Sequence, residues 1–242
     1  MLATNTIDSA SLAETPTPEA QREEAEAVRR AFEGRWLPRA RLALRSLHRL
    51  LQDPNDTRQV FILSIAVSAG HLPRLLADFL SNEDGLALLT ERAAIDSTHV
   101  DFDALRALPA DTLGGAYVRF LDDNGLDPDL FQAPPGMPPG IAYVIQRMRQ
   151  THDLWHVVTG YESDIPGEIS ILAFTYGQTG APSMRLLATV GTLRYSFEFE
   201  SIFRRVWRAY QRGKAAPFLG TTRWEKMWHL PLTEVRERLQ VH

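Results

Sequence analysis

No cysteine occurs among the 242 residues. Disulfides, thiolate metal sites and cysteine nucleophiles are therefore excluded, and the chain is compatible with a reducing compartment. Charge of one sign is not in excess either. The net charge is −4 at pH 7 and the pI about 6.0, which leaves no global attraction for nucleic acid, and no nucleic-acid partner is expected. Long apolar runs are missing. Residues 60–70 form the longest, interrupted by Ser64 and Ser68, and fall short of the roughly 18–20 residues that cross a bilayer. Residues 1–18, rich in Ala, Thr, Ser, Pro and acid, have neither the basic nor the apolar region of a secretory signal and read as a disordered tail. The protein is expected to be soluble or to lie on a membrane surface.

Period-2 alternation is absent as well, and the pattern is helical nearly throughout. At 44% hydrophobic, the chain can bury a sizeable core. The expectation is an all-α fold: a disordered or loosely attached segment over 1–35, then a single helical domain over 36–242 that contains a metal-binding helical hairpin. Helices are expected over 19–31, 39–51, 57–70, 74–80, 82–92, 101–108 and 114–123. A Pro- and Gly-rich loop over 127–140 follows. Further helices are expected over 141–159, from Pro166 to Tyr176, and, as long amphipathic pieces, over 184–211 and 222–239.

His152, Asp153, His156 and Glu168 carry the chemistry. They fall within seventeen residues. Along 141–159 the apolar stripe runs Ile141, Ile145, Met148, Trp155, Thr159. His152 fills its gap and His156 lies one turn on, so both imidazoles replace core residues. Asp153 is rotated about 100° from His152 yet lies three positions from His156, bordering the same face. Gly160 can end the helix and Pro166 can restart it, and the resulting hairpin would bring Glu168 back beside His156. Four such groups buried without a partner would cost several kcal/mol. A borderline divalent cation (zinc, iron or manganese) is a single partner that suits all four. Two familiar metal patterns fit less well. Zinc proteases carry Glu where Asp153 stands, and phosphohydrolases with an adjacent His-Asp pair also need an upstream His and a distant Asp. Neither accounts for Glu168.

The string His152-Asp153-Leu154-Trp155-His156 with Glu168 resembles the signature of the coenzyme Q biosynthesis protein 4 family. So do the stretch from Leu105 through Pro109, Asp111, Thr112, Leu113 and Gly114 into Tyr117 and Phe120-Leu121, the lead-in from Ile141 to Arg147, the Ile165-Pro166-Gly167-Glu168 turn, and Trp224-Glu225-Lys226 with 232–239. The likeness covers roughly residues 40–240. Leu154-Trp155 stands where the family usually has Leu-Tyr or Leu-Phe, and the segment after Gly177 is more divergent.

The resemblance implies an all-α peripheral membrane protein of ubiquinone biosynthesis. It would remove the C1 carboxyl of a polyprenylated 4-hydroxybenzoate precursor and bind the other biosynthetic enzymes. Its metal residues would be His152, Asp153, His156 and Glu168, holding zinc, with ferrous iron as the alternative. The partners so implied are the prenylated quinone precursor, the pathway's enzymes and a membrane surface, with a homodimer left open. The location is the inner face of a cell membrane on the cytoplasmic side, or the matrix side of the mitochondrial inner membrane. In the chemistry the cation acts as a Lewis acid, while Asp153 and Glu168 are the catalytic carboxylates and Asp153 shuttles a proton. Arg147, Arg149 and Arg194 are candidates to hold the substrate carboxylate. Residues 60–69 and 72–80 are candidates to line a tail groove. The competing reading is a non-catalytic lipid-binding scaffold with a closed, structural metal site, Trp207, Tyr210, Trp224 and Trp228 forming its partner face. A metal-dependent hydrolase is a second alternative.

Overall fold

The computed structural model describes residues 22, 25, 26, 28, 29, 36–53, 56–130, 132 and 136–241. The tail expected over 1–18 and most of the helix expected over 19–31 lie outside these. Among the described residues there are helices and no strand, the one bridge joining Thr112 to Pro231.

From residue 36 onward the described residues form twelve α-helices in chain order: α1 Trp36–Gln52, α2 Thr57–Ser68, α3 Leu72–Leu80, α4 Glu83–Glu91, α5 Phe102–Arg106, α6 Leu113–Asn124, α7 Pro139–Gln150, α8 His152–Thr159, α9 Ile165–Thr179, α10 Pro182–Tyr195, α11 Ile202–Ala215 and α12 Leu232–Arg238. Short polar side chains start several of them. Asp56, Asn82, Asp101, Thr112 and Asp164 each accept from a backbone N–H in the first turn, which satisfies donors the helix itself cannot.

The main core gathers α6, α8, α9, α11 and the C-terminal segment around Tyr117, Leu154, Trp155, Phe174, Leu219 and Trp224. Helices α9 and α11 cross at close range: a Cβ on Gly213 would sit 2.2 Å from the Phe174 carbonyl oxygen. Only glycine permits that approach, and it fixes the helix that carries Glu168. A second cluster buries Val28 with Ile65, Ala69, Leu72, Met137 and Ile141, so part of the segment before residue 36 is seated on the domain.

The helical path Arg58–Leu80 is 23 residues long with hydropathy 1.6. By length and composition it could cross a bilayer, which the broken run at 60–70 did not suggest, because the helix continues through the serines and past Arg74. Its Leu63 and Phe79 are buried, and its two helices pack on α1, α4, α7 and α10. Its apolar window is 44% buried, so part of this path belongs to the core.

Three expected helices differ. Residues 184–211 are two helices, α10 and α11, separated by a turn in which Phe199 packs on Ile165, Ile169 and Ile202. Residues 222–239 hold a 3-10 turn (Trp224–Lys226) and the short α12. Between these lies a turn whose backbone accepts from Gly114 N–H at Trp228 and from Leu113 N–H at Leu230. The block that runs into Leu113-Gly114 is thus a dock for the C-terminus. Residues 141–159 are α7 and α8, joined at Thr151.

Candidate metal centre

Helix α8 ends at Gly160, whose φ of +72° closes it in the left-handed conformation that glycine tolerates best. Its terminal carbonyls are held from outside. Arg236 donates to Val157 and Val158, and Arg212 donates to Thr159. After the turn, Asp164 accepts from Gly167 N–H at 2.7 Å and starts α9, which leaves Glu168 in the first turn. Trp155 meets Phe174 edge-on across α8 and α9, ring centroids 6.0 Å apart. Asp164→Ala is expected to cost about 1 kcal/mol in urea denaturation, the usual loss for an N-cap, and to weaken metal binding because Glu168 is four residues on.

The hairpin brings three of the four expected residues together. His156 Nε2 lies 3.2 Å from His152 Nε2 and 3.4 Å from a Glu168 carboxylate oxygen, and His152 Nε2 lies 3.7 Å from the other oxygen. These donors fit one divalent ion. A tetrahedral ion with bonds of about 2.05 Å has ligand atoms about 3.3 Å apart. Three protein donors leave further coordination positions for other ligands. Asp153 is outside the group of donor atoms that could hold a metal, although it is buried and close enough to perturb both imidazoles electrostatically.

His156 is buried, whereas the side chains of His152 and Glu168 keep 33% and 31% of their surface open, so the centre is approached from their side. His156 Nδ1 donates to the Tyr161 carbonyl at 2.9 Å. That bond aims Nε2 at the other donors and is the second-shell partner such a ligand needs. Phe120 stacks on the His156 ring with centroids 5.3 Å apart. Neither Tyr161 nor Phe120 was picked out as a functional residue from the sequence. A backbone acceptor leaves no trace in residue type, and Phe120 reads as ordinary core.

Burial works against charge on His156, but Glu168 overrides it and raises the imidazole from the usual 6.5 to about 9. Burial also acts to raise Glu168, and the two imidazoles, His156 first, pull it well below the ordinary carboxylate range. Asp153 is raised, by burial before any charge. The metal-free centre is thus a protonated His156 paired with ionised Glu168. An entering cation must displace that proton. Below pH 9, metal affinity is expected to rise by about tenfold per pH unit, with one proton released per ion; titration calorimetry in two buffers of different protonation enthalpy checks it. For stability of the metal-free chain the sign is opposite. His156 gains its proton more readily folded than unfolded, so its contribution is full below pH 6.5 and is lost as pH rises through 9.

The arginine candidates are placed elsewhere. Arg147 is fully buried and grips Glu225. Arg149 covers Phe61 at 4.1 Å, and Arg194 lies over Tyr195 at 5.6 Å. Of the four aromatic residues considered as a partner face, Trp224 and Trp228 are core, Tyr210 is half-buried, and Trp207 alone is exposed.

An all-α domain with an open two-histidine, one-carboxylate hairpin defines the class. Residues 30–242 match the family described as Coenzyme Q (ubiquinone) biosynthesis protein Coq4, and the chain belongs to it. It is 33% identical over 194 residues to the mitochondrial ubiquinone biosynthesis protein COQ4 homolog of Mus musculus, covering 77% of this chain and 72% of that one. The Bos taurus homolog is 32% identical over 209 residues, covering 85% and 78%. A solved structure of a ubiquinone biosynthesis protein from Nostoc punctiforme superposes with a TM-score of 0.67 at 25% identity, covering 84% of this chain and 98% of that one. Membership places the chain in ubiquinone biosynthesis.

Proposed function

We propose that the chain removes the C1 carboxyl group of a polyprenylated 4-hydroxybenzoate precursor at a membrane surface. The carrying observation is the number of donors. A structural site is closed by four protein ligands, whereas a catalytic one keeps a position free, and among the described residues His152, His156 and Glu168 are three. This favours the enzyme over the scaffold with a structural metal. A bound divalent ion supplies Lewis acidity toward the substrate's oxygens.

The protein's own residues supply the rest. Tyr161 and Phe120 fix the His156 ring. Glu168 and His152 line the accessible side. Asp153, whose carboxyl is raised by burial, is the proton donor beside the centre in this reading. As the bond from C1 to the carboxyl carbon breaks and carbon dioxide leaves, the electron pair stays on C1 and takes that proton, which solvent then replaces. The donor set suits zinc for this route. The same three donors suit ferrous iron, which would make the reaction oxygen-dependent, so metal analysis with an aerobic and an anaerobic assay separates the two. The mitochondrial homologs from mouse and cattle support the mitochondrial option for its location.

Asp153→Asn carries the test. In a strain lacking the C1-decarboxylation step, wild type is expected to restore quinone. The variant is expected to bind metal as wild type does but to accumulate the carboxylated precursor, with turnover down roughly 100-fold or more, as for loss of a general acid. Wild type that fails to restore quinone, or a fully active variant, sinks the respective part of this reading.

A further inference from the structure

Between α10 and α11 the chain holds large apolar side chains in solvent. Phe197, in the connecting turn, is 99% exposed, and Leu193, Phe203 and Trp207 are 59%, 56% and 62% exposed. Phe203 and Trp207 are four residues apart on α11 and share a face. Arg204 and Arg208, also exposed and four apart, border it. Residues 193–214 carry six basic and two acidic side chains, in a chain whose net charge is −4. Arg194, Arg204, Arg205 and Arg208 form no ion pair among the described residues.

Scattered exposed apolar residues are ordinary, but these lie within fifteen residues on two helices that pack together. The same segment reaches the metal centre. Tyr195 and Phe199 turn inward onto Ile165 and Ile169, and these two flank Glu168 along α9. An apolar, cationic surface is thereby packed against the helix that carries Glu168.

We propose that this face docks on an anionic phospholipid bilayer. Phe197, Phe203 and Trp207 enter the boundary between headgroups and acyl chains, while Arg194, Arg204 and Arg208 meet the phosphates. A protruding phenylalanine in a turn needs a matching pocket in a protein partner but none in a bilayer, and aromatic side chains beside arginines suit the membrane interface. The inference rests on the membrane part of the proposed function. It needs neither metal nor turnover.

Cosedimentation of the full chain with vesicles tests it, using phosphatidylcholine alone or with roughly 30 mol% phosphatidylserine. Wild type is expected to prefer the serine-containing vesicles. Phe197→Ser with Trp207→Ser is expected to lower its partition by about tenfold or more. Arg204→Glu with Arg208→Glu is expected to do the same and to remove the preference for anionic lipid. Phe197→Leu with Trp207→Leu, which keeps the apolar surface, retains binding, and Glu168→Ala binds as wild type does. Wild-type binding left unchanged by both surface pairs overturns this face while leaving the membrane reading intact. No wild-type binding overturns both, and equal binding to the two vesicle types overturns the anionic preference on which the proposal depends.

Discussion

Glu168→Ala is expected to leave the purified protein with far less than one divalent ion per chain and to abolish quinone formation. Glu168 is the only carboxylate among the three donors, and it supplies the negative charge that two imidazoles cannot. Removing a residue that merely orients a ligand costs roughly 10–100-fold in metal affinity, so loss of a ligand itself should exceed that. A second effect follows from His156. Its proton is held against burial by Glu168, and without the carboxylate the buried imidazole becomes neutral. The variant's metal binding should then lose most of its pH dependence below pH 9, because no proton is left to displace. Added metal should raise the melting temperature of wild type by mass action on the folded state and leave that of the variant unmoved. Asp153→Ala provides the contrast: it removes a carboxylate outside the donor group and should retain near-stoichiometric metal. If Asp153→Ala loses metal as completely as Glu168→Ala does, the three-donor centre is wrong and the closed, four-ligand scaffold regains its ground.

The meeting of His152, His156 and Glu168 was legible from spacing because each step has a local cause. Two imidazoles four apart share a helix face, Gly160 ends that helix, and the Asp164-to-Pro166 stretch starts the next. Asp153 was not legible in the same way. Proximity in sequence put it near the face, but a rotation of about 100° leaves it beside the three donor atoms and outside their group. The helix boundaries at 196–201 left no signal, since Ser196-Phe197-Glu198-Phe199-Glu200-Ser201 contains neither glycine nor proline. That turn exists because Phe199 is drawn onto Ile165 and Ile169, a tertiary cause. Pro231 did leave a signal: the residue before a proline disfavours helix, and Leu230 indeed lies outside a helix, at the end of a turn. Arg147 shows the general difficulty with arginine. Nothing in its neighbours in sequence reveals that a partner 78 positions away has claimed it.

Glu225→Leu is expected to cost about 3 kcal/mol or more of folding stability in urea denaturation. Arg147 is wholly buried and meets the two carboxylate oxygens of Glu225 at 2.5 and 2.9 Å. It also donates to the carbonyls of Thr222 and Ala93. Truncating the carboxylate leaves a guanidinium in the interior without its counter-charge, and breaking a buried pair from one side typically costs about 3–5 kcal/mol. Glu225 keeps 27% of its side chain exposed, so some water screens the pair and the lower end of that range applies. Replacing both partners behaves differently. Arg147→Met with Glu225→Leu removes the stranded charge, and apolar groups in a packed interior often equal or exceed the pair they replace. Recovery should be incomplete here, because the carbonyls of Thr222 and Ala93 lose a donor. The double variant should also hold metal at wild-type stoichiometry, since Arg147 lies on α7, ahead of the helix that carries both imidazoles. A cost below about 1 kcal/mol for Glu225→Leu would mean that the guanidinium finds solvent or another anion. Arg147 would then return as a candidate for the substrate's carboxylate, and the double variant would be the one to assay for turnover.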